Sequence, residues 1–118
     1  MLFRPEHIVL IERGIKTATR RIWKRPCAKV GGEYKVKKKM LSKEYYATIR
    51  CTEIFKQRLG DMSDIDAQNE GGYTLAEYKE VFKKICGFWD DNFELTVVVF
   101  EYVGPGNTPA PKEWREIK

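Results

Sequence analysis

Apolar side chains recur along the chain with two periods, and the change of period divides it into helices and strands. Residues 5–13 carry a compact apolar group at positions 8–11, between a proline and a glycine. Pro5 suits the first position of a helix, and Gly14 can adopt the left-handed conformation that ends one. The pattern therefore predicts a short N-terminal helix that ends at Gly14.

Three later segments have the composition of strands, and a further strand is expected to begin near Thr17. Residues 33–37 alternate between polar and apolar side chains. Residues 45–57 are rich in β-branched and aromatic side chains but are too long for an ordinary strand, so we expect this segment to bend. Residues 93–102 form the clearest strand, and both of its faces are apolar at the centre, which is typical of a sheet covered by a helix.

Two helices are expected between the long strand and the last strand. Asp61 or Ser63 can cap the first, which runs toward Glu70 and ends at a pair of glycines. Thr74, with Glu77 three residues later, forms a capping box at the start of the second helix. That helix carries an apolar stripe, to which we assign core packing and no ligand role. The stripe consists of Leu75, Tyr78, Val81, Phe82 and Ile85.

The end of the chain is expected to be a flexible or surface-hugging tail. Residues 104–111 are dominated by proline, glycine and small polar side chains, which form neither helix nor strand readily. Trp114 and Ile117 lie three residues apart, a spacing that would let a short helix dock on the body of the protein.

Composition indicates one domain with a basic surface. The chain has 118 residues, of which 42% are hydrophobic, enough for one core and too few for two. Charged residues make up 33% and the net charge is +5, which favours polyanionic partners, although surface lysine also serves solubility. No apolar run is as long as a membrane span, and the N-terminus, with Glu6 and Glu12, does not resemble a signal peptide. We therefore expect a cytoplasmic protein with no membrane partner.

The cysteines and the one histidine do not follow a metal-binding pattern. Cys27, Cys51 and Cys86 are odd in number and far apart, without the Cys-x-x-Cys spacing of zinc sites. A site made of these cysteines and His7 can be drawn, but buried free cysteine is the commoner role. His7 lies on the first helix, where packing or solvation is expected rather than proton transfer. The sequence predicts neither a metal nor another cofactor.

The main concentration of reactive side chains lies in the turn directly after the first helix. Side chains alternate along a strand, so every second residue from Thr17 onward is expected on one face, with Lys16 at the preceding bend. The residues expected on that face are Thr17, Thr19, Arg21 and Trp23. Hydroxyl, guanidinium and aromatic groups bind phosphate, an amide carbonyl or a stacked base. This turn is the first candidate for a functional site.

A basic loop follows the turn. Proline interrupts a run of cations that starts beside an aromatic residue, so the segment is expected to be irregular. Trp23 could stack on a base while Lys24 and Arg25 hold a nucleic-acid backbone. In the alternative interpretation, Trp23 closes the end of the core and the cations, which include Lys29, form a solvated rim.

The spacing Gly14-x-Lys16-x-x-Thr19-x-Arg21 resembles the signature of the ASCH domain family, whose members are small PUA-like β-barrels associated with RNA. The family also carries a helical insert with a Glu-Gly-aromatic element. Glu70 and the residues after it are similar to this element, with one extra glycine before the tyrosine.

The resemblance implies an α+β fold and covers nearly the whole chain. It implies a small PUA-like β-barrel of about five or six strands, with an N-terminal helix and a helical insert before the last strand. Residues 1–103 are assigned to this domain and residues 104–118 to a C-terminal tail.

The function that the resemblance implies first is binding of RNA or of a nucleotide derivative. PUA-like domains recognise RNA in a cleft beside the helical insert, and basic residues would surround such a cleft here. The residues assigned to nucleic-acid or ligand binding are Gly14, Thr17, Arg20, Arg21, Trp23, Lys24 and Arg25. The expected partner is RNA or a nucleoside derivative, and the sequence does not indicate an oligomeric state.

A sharper alternative implied by the resemblance is metal-independent amidohydrolase activity on N4-acetylcytidine or a similar acylated nucleoside. The matching catalytic residues are Lys16, Thr19 and Glu70. A partly desolvated lysine can take the proton of a threonine hydroxyl, and a glutamate can orient that lysine or exchange a proton with the leaving amine. Ribonuclease activity, which some relatives have, is a third alternative. In a purely structural interpretation, Lys16 and Thr19 only hydrogen-bond the insert to the barrel.

Overall fold

The computed structural model describes residues 1–116, in which helices and strands follow one another in the order that the hydrophobic pattern predicts. The first half contains α1 (Pro5–Glu12), β1 (Ala18–Arg21), β2 (Glu33–Val36) and β3 (Ala47–Arg58). The second half contains α2 (Asp64–Gly71), α3 (Leu75–Cys86) and β4 (Glu94–Pro105). Short 3₁₀ turns at Leu59–Asp61 and Lys112–Glu116 complete the described chain.

The strands form one antiparallel sheet in the order β1-β4-β3-β2. The two long strands, β3 and β4, make the centre, and β1 and β2 contribute four residues each at the edges. Irregularities in the β3–β4 register fall between Thr48 and Ile49 and between Cys51 and Glu53, so the long strand bends as predicted. The sheet therefore has four strands in residues 1–116, fewer than expected. No pairing joins the edge strands β1 and β2 within this range, so barrel closure stays a prediction.

Two hydrophobic cores lie on opposite faces of β4. Leu95 and Val97 pack in one core, with the buried residues of α2 and α3. Phe100 packs in the other core, with α1 and the C-terminal turn. Because side chains alternate along a strand, odd-numbered and even-numbered positions of β4 point to different cores. This explains why both faces of the strand are apolar, as the sequence predicts.

Local signals fix the ends of the helices. Ser63 caps α2 in a capping box with Asp66, and Thr74 does the same for α3 with Glu77. Gly72 ends α2 in the left-handed conformation, with φ of 79°. Both predicted capping sites are confirmed. Of the two candidates for the cap of α2, Ser63 is the cap and Asp61 is not. The last turn of α2, which carries Glu70, therefore lies at a fixed place against β1.

The C-terminal segment differs from the prediction at its first two residues. Residues 104 and 105 continue β4, because the long β3 still offers backbone partners opposite them. A proline is tolerated at this position since it ends the strand. Trp114 is buried and its ring centroid lies 4.8 Å from that of Tyr46. The segment hugs the surface and docks through Trp114, whereas Ile117 lies outside the described residues.

None of the helices in residues 1–116 is both long enough and apolar enough to span a lipid bilayer.

Candidate functional site

Lys16 is turned into the protein by the end of α1. Gly14 has a φ of 73°, and the Leu10 carbonyl accepts hydrogen bonds from the backbone of residues 15 and 16. Lys16 as a whole residue is only 2% exposed, although the sequence places it at a bend. Its Nζ donates to the Ala18 carbonyl and to the Glu70 carbonyl, each at 2.8 Å, and lies 3.4 Å from Glu70 Oε1. All three ammonium protons therefore have an acceptor.

Glu70 holds the centre of a buried charge cluster. It is 3% exposed, and its Oε2 accepts a hydrogen bond from Arg20 Nη1 at 2.8 Å. Arg20 Nη2 donates to Gln57 Oε1 at 2.7 Å and lies 3.8 Å from Asp66 Oδ1. One fully buried carboxylate thus stands between two cations, Lys16 and Arg20. We call these three residues the Glu70 cluster.

Arg21 connects the turn to the N-terminal segment. Its Nε donates to Thr19 Oγ1 at 3.1 Å, so the two side chains share a face as predicted. Its Nη2 donates to the Leu2 carbonyl at 2.6 Å, and the guanidinium carbon lies 4.7 Å from the ring centroid of Phe3. Arg21 Nη1 makes no hydrogen bond within residues 1–116, and this leaves donors free for a ligand.

A cavity of about 230 Å³ brings these residues together. We call it the cleft. Its polar wall is formed by Lys16, Thr19, Arg20, Arg21 and Glu70. Its apolar wall comes from the N-terminal segment and from α3, with Phe3, Tyr78, Val81, Phe82 and Ile85 among its residues.

The apolar wall corrects one prediction. The stripe on α3 was expected to serve core packing with no ligand role. Tyr78 and Phe82 are buried in the core, but they also line the cleft. Val81 is only partly buried and Ile85 is exposed, and both line the cleft. Helical spacing identifies an apolar stripe but does not distinguish a core from the wall of a cavity, so the sequence offered no signal for this second role.

Ionisation in the cleft is set mainly by burial. Burial lowers the pKa of Lys16, while the nearby Glu70 carboxylate raises it and the Arg21 cation lowers it further. Burial, aided by Lys16 and Arg4, lowers the pKa of His7 to about 3, so the imidazole is neutral at physiological pH. Burial and the Glu70 carboxylate raise the pKa of the Tyr78 hydroxyl, which stays protonated.

Neither His7 nor Tyr73 was assigned to the site from the sequence, but both residues lie next to residues of the cleft in the structure. His7 lines the cleft, and its Nε2 lies 3.0 Å from the Tyr73 hydroxyl. Gly71, directly after Glu70, makes room for that tyrosine, because a Cβ at this position would lie 2.8 Å from the Tyr73 ring. The Glu-Gly-Gly-Tyr segment thus brings an aromatic side chain back onto α1.

The other residues predicted for ligand binding lie outside the cleft. Gly14 sets the backbone geometry, and Thr17 ties the turn to its neighbours through its backbone, with its N–H bonded to the Asn69 carbonyl at 2.8 Å. Trp23 lines a neighbouring cavity. Lys24 and Arg25 are exposed in the irregular loop and line neither cavity.

Metal coordination has no geometric basis in the part of the chain that the structure describes. No three histidine, cysteine, aspartate or glutamate side chains lie together there in a way that could hold an ion. The cysteines are free, with Cys27 exposed, Cys51 buried and Cys86 half-buried.

Comparison with solved structures identifies the architecture. An ASCH domain from Lactobacillus crispatus superposes with a TM-score of 0.69 at 21% identity, over 83% of this chain and 70% of that one. The chain has the ASCH domain fold. The ASCH protein of Zymomonas mobilis superposes with a TM-score of 0.60 at 14% identity, over 95% of this chain and 81% of that one.

A third similar structure is that of a DUF984 protein from Enterococcus faecalis, which superposes with a TM-score of 0.62 at 23% identity, over 83% of this chain and 67% of that one. No protein-family model matches the chain, and no curated protein does either. The likeness is therefore one of fold, and the chemistry has to be argued from the cleft itself.

Proposed function

We propose that the chain is an ASCH-family domain that binds a nucleoside derivative, or one base of an RNA strand, in the cleft. The observation that carries this proposal is the shape of the cleft, in which a wall of charged and hydroxyl groups faces an apolar wall. Its volume of about 230 Å³ is below the roughly 300–1,000 Å³ of typical drug-sized pockets. A space of this size suits one heterocyclic ring and excludes a folded RNA element.

The polar wall has the groups that read the edge of a base. Thr19 can donate its hydroxyl proton, since its oxygen already accepts from Arg21. Arg21 has free donors at Nη1, and the Glu70 carboxylate is the acceptor on that wall. Bases present donors and acceptors side by side on one edge and an apolar face above and below, which matches a cleft with two unlike walls.

The charge balance of the wall favours a ligand that carries phosphate or carbonyl oxygens. Lys16, Arg20 and Arg21 are cations, and among the described residues that line the cleft Glu70 is the one that is acidic. A buried excess of positive charge is unfavourable in the empty protein and is offset when electron-rich atoms enter.

Binding of cytidine, N4-acetylcytidine and a short single-stranded RNA, measured by calorimetry, tests this proposal. Thr19→Val keeps the shape of the side chain and removes the hydroxyl, so we expect it to weaken binding about three- to tenfold. Thr52→Val is the matched control, because Thr52 is exposed on β3 and lies outside the cleft. Equal affinities for Thr19→Val and Thr52→Val, or no binding by the wild type, would contradict the proposal.

Amidohydrolase activity on N4-acetylcytidine is the second candidate, and one observation favours it. Lys16, Thr19 and Glu70 all line the same cleft. In such a reaction the Thr19 oxygen attacks the acyl carbonyl carbon, the C–N bond breaks, and the amine leaves with a proton. Water then releases acetate from Thr19. Lys16 must be neutral to take the Thr19 proton, and burial lowers its pKa in that direction.

Acetate release from a panel of acylated nucleosides, with a chelator present, tests the second candidate. Thr19→Ala and Lys16→Met are each expected to remove most turnover, and circular dichroism checks that both variants fold. Absence of turnover together with measurable RNA affinity would leave the binding function alone. The third alternative, ribonuclease activity, is tested in the same preparation by the length of the RNA after incubation.

A further inference from the structure

Trp23 is not explained by packing. The chain has three tryptophans, and Trp114 belongs to the core beneath α1 while Trp89 packs against Phe82 in the other core. Trp23 belongs to neither core and forms no ring–ring pair within residues 1–116. It is nevertheless half-buried. Trp23 is thus not a member of either hydrophobic core within residues 1–116.

The indole instead lines a second cavity, of about 340 Å³, which adjoins the cleft. The two cavities share Leu2 and Arg21, so the Arg21 side chain forms part of the boundary between them. Tyr34 and Lys37 also line the second cavity, and no acidic side chain among residues 1–116 does so. We call this space the Trp23 cavity.

We propose that the Trp23 cavity binds the nucleotide next to the one in the cleft, so that the protein reads two consecutive nucleotides of a single-stranded RNA. This inference rests on the proposed function, because the first nucleotide occupies the cleft. The carrying observation is the juxtaposition of the Trp23 indole and two cations, Arg21 and Lys37, in a cavity that shares Leu2 and Arg21 with the cleft.

Each group has a role in this arrangement. Arg21 lies between the cavities, where the phosphate that links two consecutive nucleotides would pass, and its Nη1 is free of hydrogen bonds within residues 1–116. The Trp23 ring offers a face on which the second base stacks, an interaction that tolerates any base. Lys37 adds a point charge for the next phosphate, and its backbone is held by hydrogen bonds to Met1 and Phe3.

The test compares ligands that fill one cavity or both. Cytidine and dinucleoside monophosphates that carry cytidine at either end are titrated at one salt concentration into wild type, Trp23→Ala, Trp23→Phe, Lys37→Ala and Lys56→Ala. Lys56 is the matched control, since it is exposed on β3 and lines neither cavity. Thermal melts confirm that each variant is folded.

We expect the wild type to bind one of the two types of dinucleotide, with cytidine at one particular end, about tenfold more tightly than cytidine alone. We call this factor the affinity ratio. Trp23→Ala should bring the affinity ratio close to one, whereas Trp23→Phe should keep most of it. Lys37→Ala should reduce the ratio, and Lys56→Ala should leave it unchanged. Binding of cytidine with no gain from a second nucleotide, or an unchanged ratio in Trp23→Ala, overturns the inference and leaves the proposed function standing. Failure of cytidine and every dinucleotide to bind overturns both.

Discussion

Two arginine–carboxylate groups in this protein have the same nitrogen–oxygen distances, but one is buried and the other is exposed to water. In the Glu70 cluster, Arg20 Nη1 lies 2.8 Å from Glu70 Oε2, and the side chains are 1% and 4% exposed. On the sheet surface, Arg50 lies 2.8 Å from Glu101 and 2.8 Å from Glu33, with side chains 42% to 54% exposed. We call the second group the Arg50 triad. Distance does not separate the two groups, but contact with water does.

The difference shows that the distance between two charged groups does not by itself determine how much they contribute to stability. Water screens the charges of the Arg50 triad, and exposed pairs of this kind contribute about 0–1 kcal/mol to stability. Charges of the Glu70 cluster have lost their water and depend on one another, so removing one leaves the others buried and uncompensated. The cluster therefore fixes the positions of Lys16 and Arg20 more firmly than a surface pair could.

The largest expected effect is that of Glu70→Gln, which keeps the shape of the side chain and removes its charge. Lys16 would then be buried without a carboxylate, and Arg20 would keep only the Asp66 carboxylate, 3.8 Å away. We therefore expect the free energy of unfolding to fall by about 3–5 kcal/mol. Urea denaturation of the purified protein measures this. A loss below about 1 kcal/mol would place the Glu70 cluster with ordinary surface pairs.

The second prediction concerns pH and uses His7, which faces the same buried cations. Its pKa is about 3 in the folded protein against 6.5 ordinarily, so the unfolded chain binds the proton first as pH falls. The neutral His7 ring makes its full contribution to stability above pH 6.5. This contribution is lost as the pH falls from 6.5 toward about 3, and the loss is about 2–3 kcal/mol at about pH 4.5.

Proton NMR measures the titration directly, because the chain has one histidine and needs no assignment. The ring resonances should titrate with a midpoint of about 3. His7→Gln is the control for the stability measurement, since it removes the titrating group but keeps a partner for the Tyr73 hydroxyl. A midpoint near the ordinary value would mean that the ring is open to water.

A third, smaller effect is expected at the surface. Glu101→Gln removes one carboxylate of the Arg50 triad, and Arg50 keeps both its water and Glu33. We expect a change in unfolding free energy far smaller than that of Glu70→Gln, measured in parallel, because water screens the exposed pair. A loss as large as that of Glu70→Gln would show that exposure does not distinguish the two groups.

The smallest effect on stability is expected for Lys24→Ala, which removes an exposed cation of the basic loop. The unfolding free energy should change by no more than about 0.5 kcal/mol. Log affinity falls as log salt rises. If Lys24 contacts an RNA phosphate, its loss should make this slope shallower by about 0.7 for a single strand. Titrations at several salt concentrations measure the slope, and an unchanged value would exclude Lys24 from the contact surface.

The sequence predicted those parts of the fold that depend on nearby residues. The capping boxes at Ser63 and Thr74 and the left-handed Gly14 are local, because each is formed by residues within one or two turns. The continuation of β4 to Pro105 was not predicted, since it depends on how far β3 extends opposite it. A segment with strand-breaking composition still pairs when a long neighbour offers backbone partners.

The same distinction applies to the site. The spacing of Lys16, Thr19 and Glu70 was recognisable, and these residues do line one cleft. The hydrogen bond from Arg20 to Glu70 joins residues far apart in sequence and is made possible only by the packing of α2 on β1. The contribution of α3 to the apolar wall has the same origin. Tertiary placement of this kind leaves no local signal.

The pairing of β1 with β4 has a consequence for the order of folding. Within the described sheet β1 has only β4 as a neighbour, and Ala18 pairs with Val99 near the other end of the domain. Contacts between such distant segments form late, because a long loop must close before they are made. During synthesis, the motif residues leave the ribosome early but have no cleft around them. The cleft is complete only when the last strand has docked.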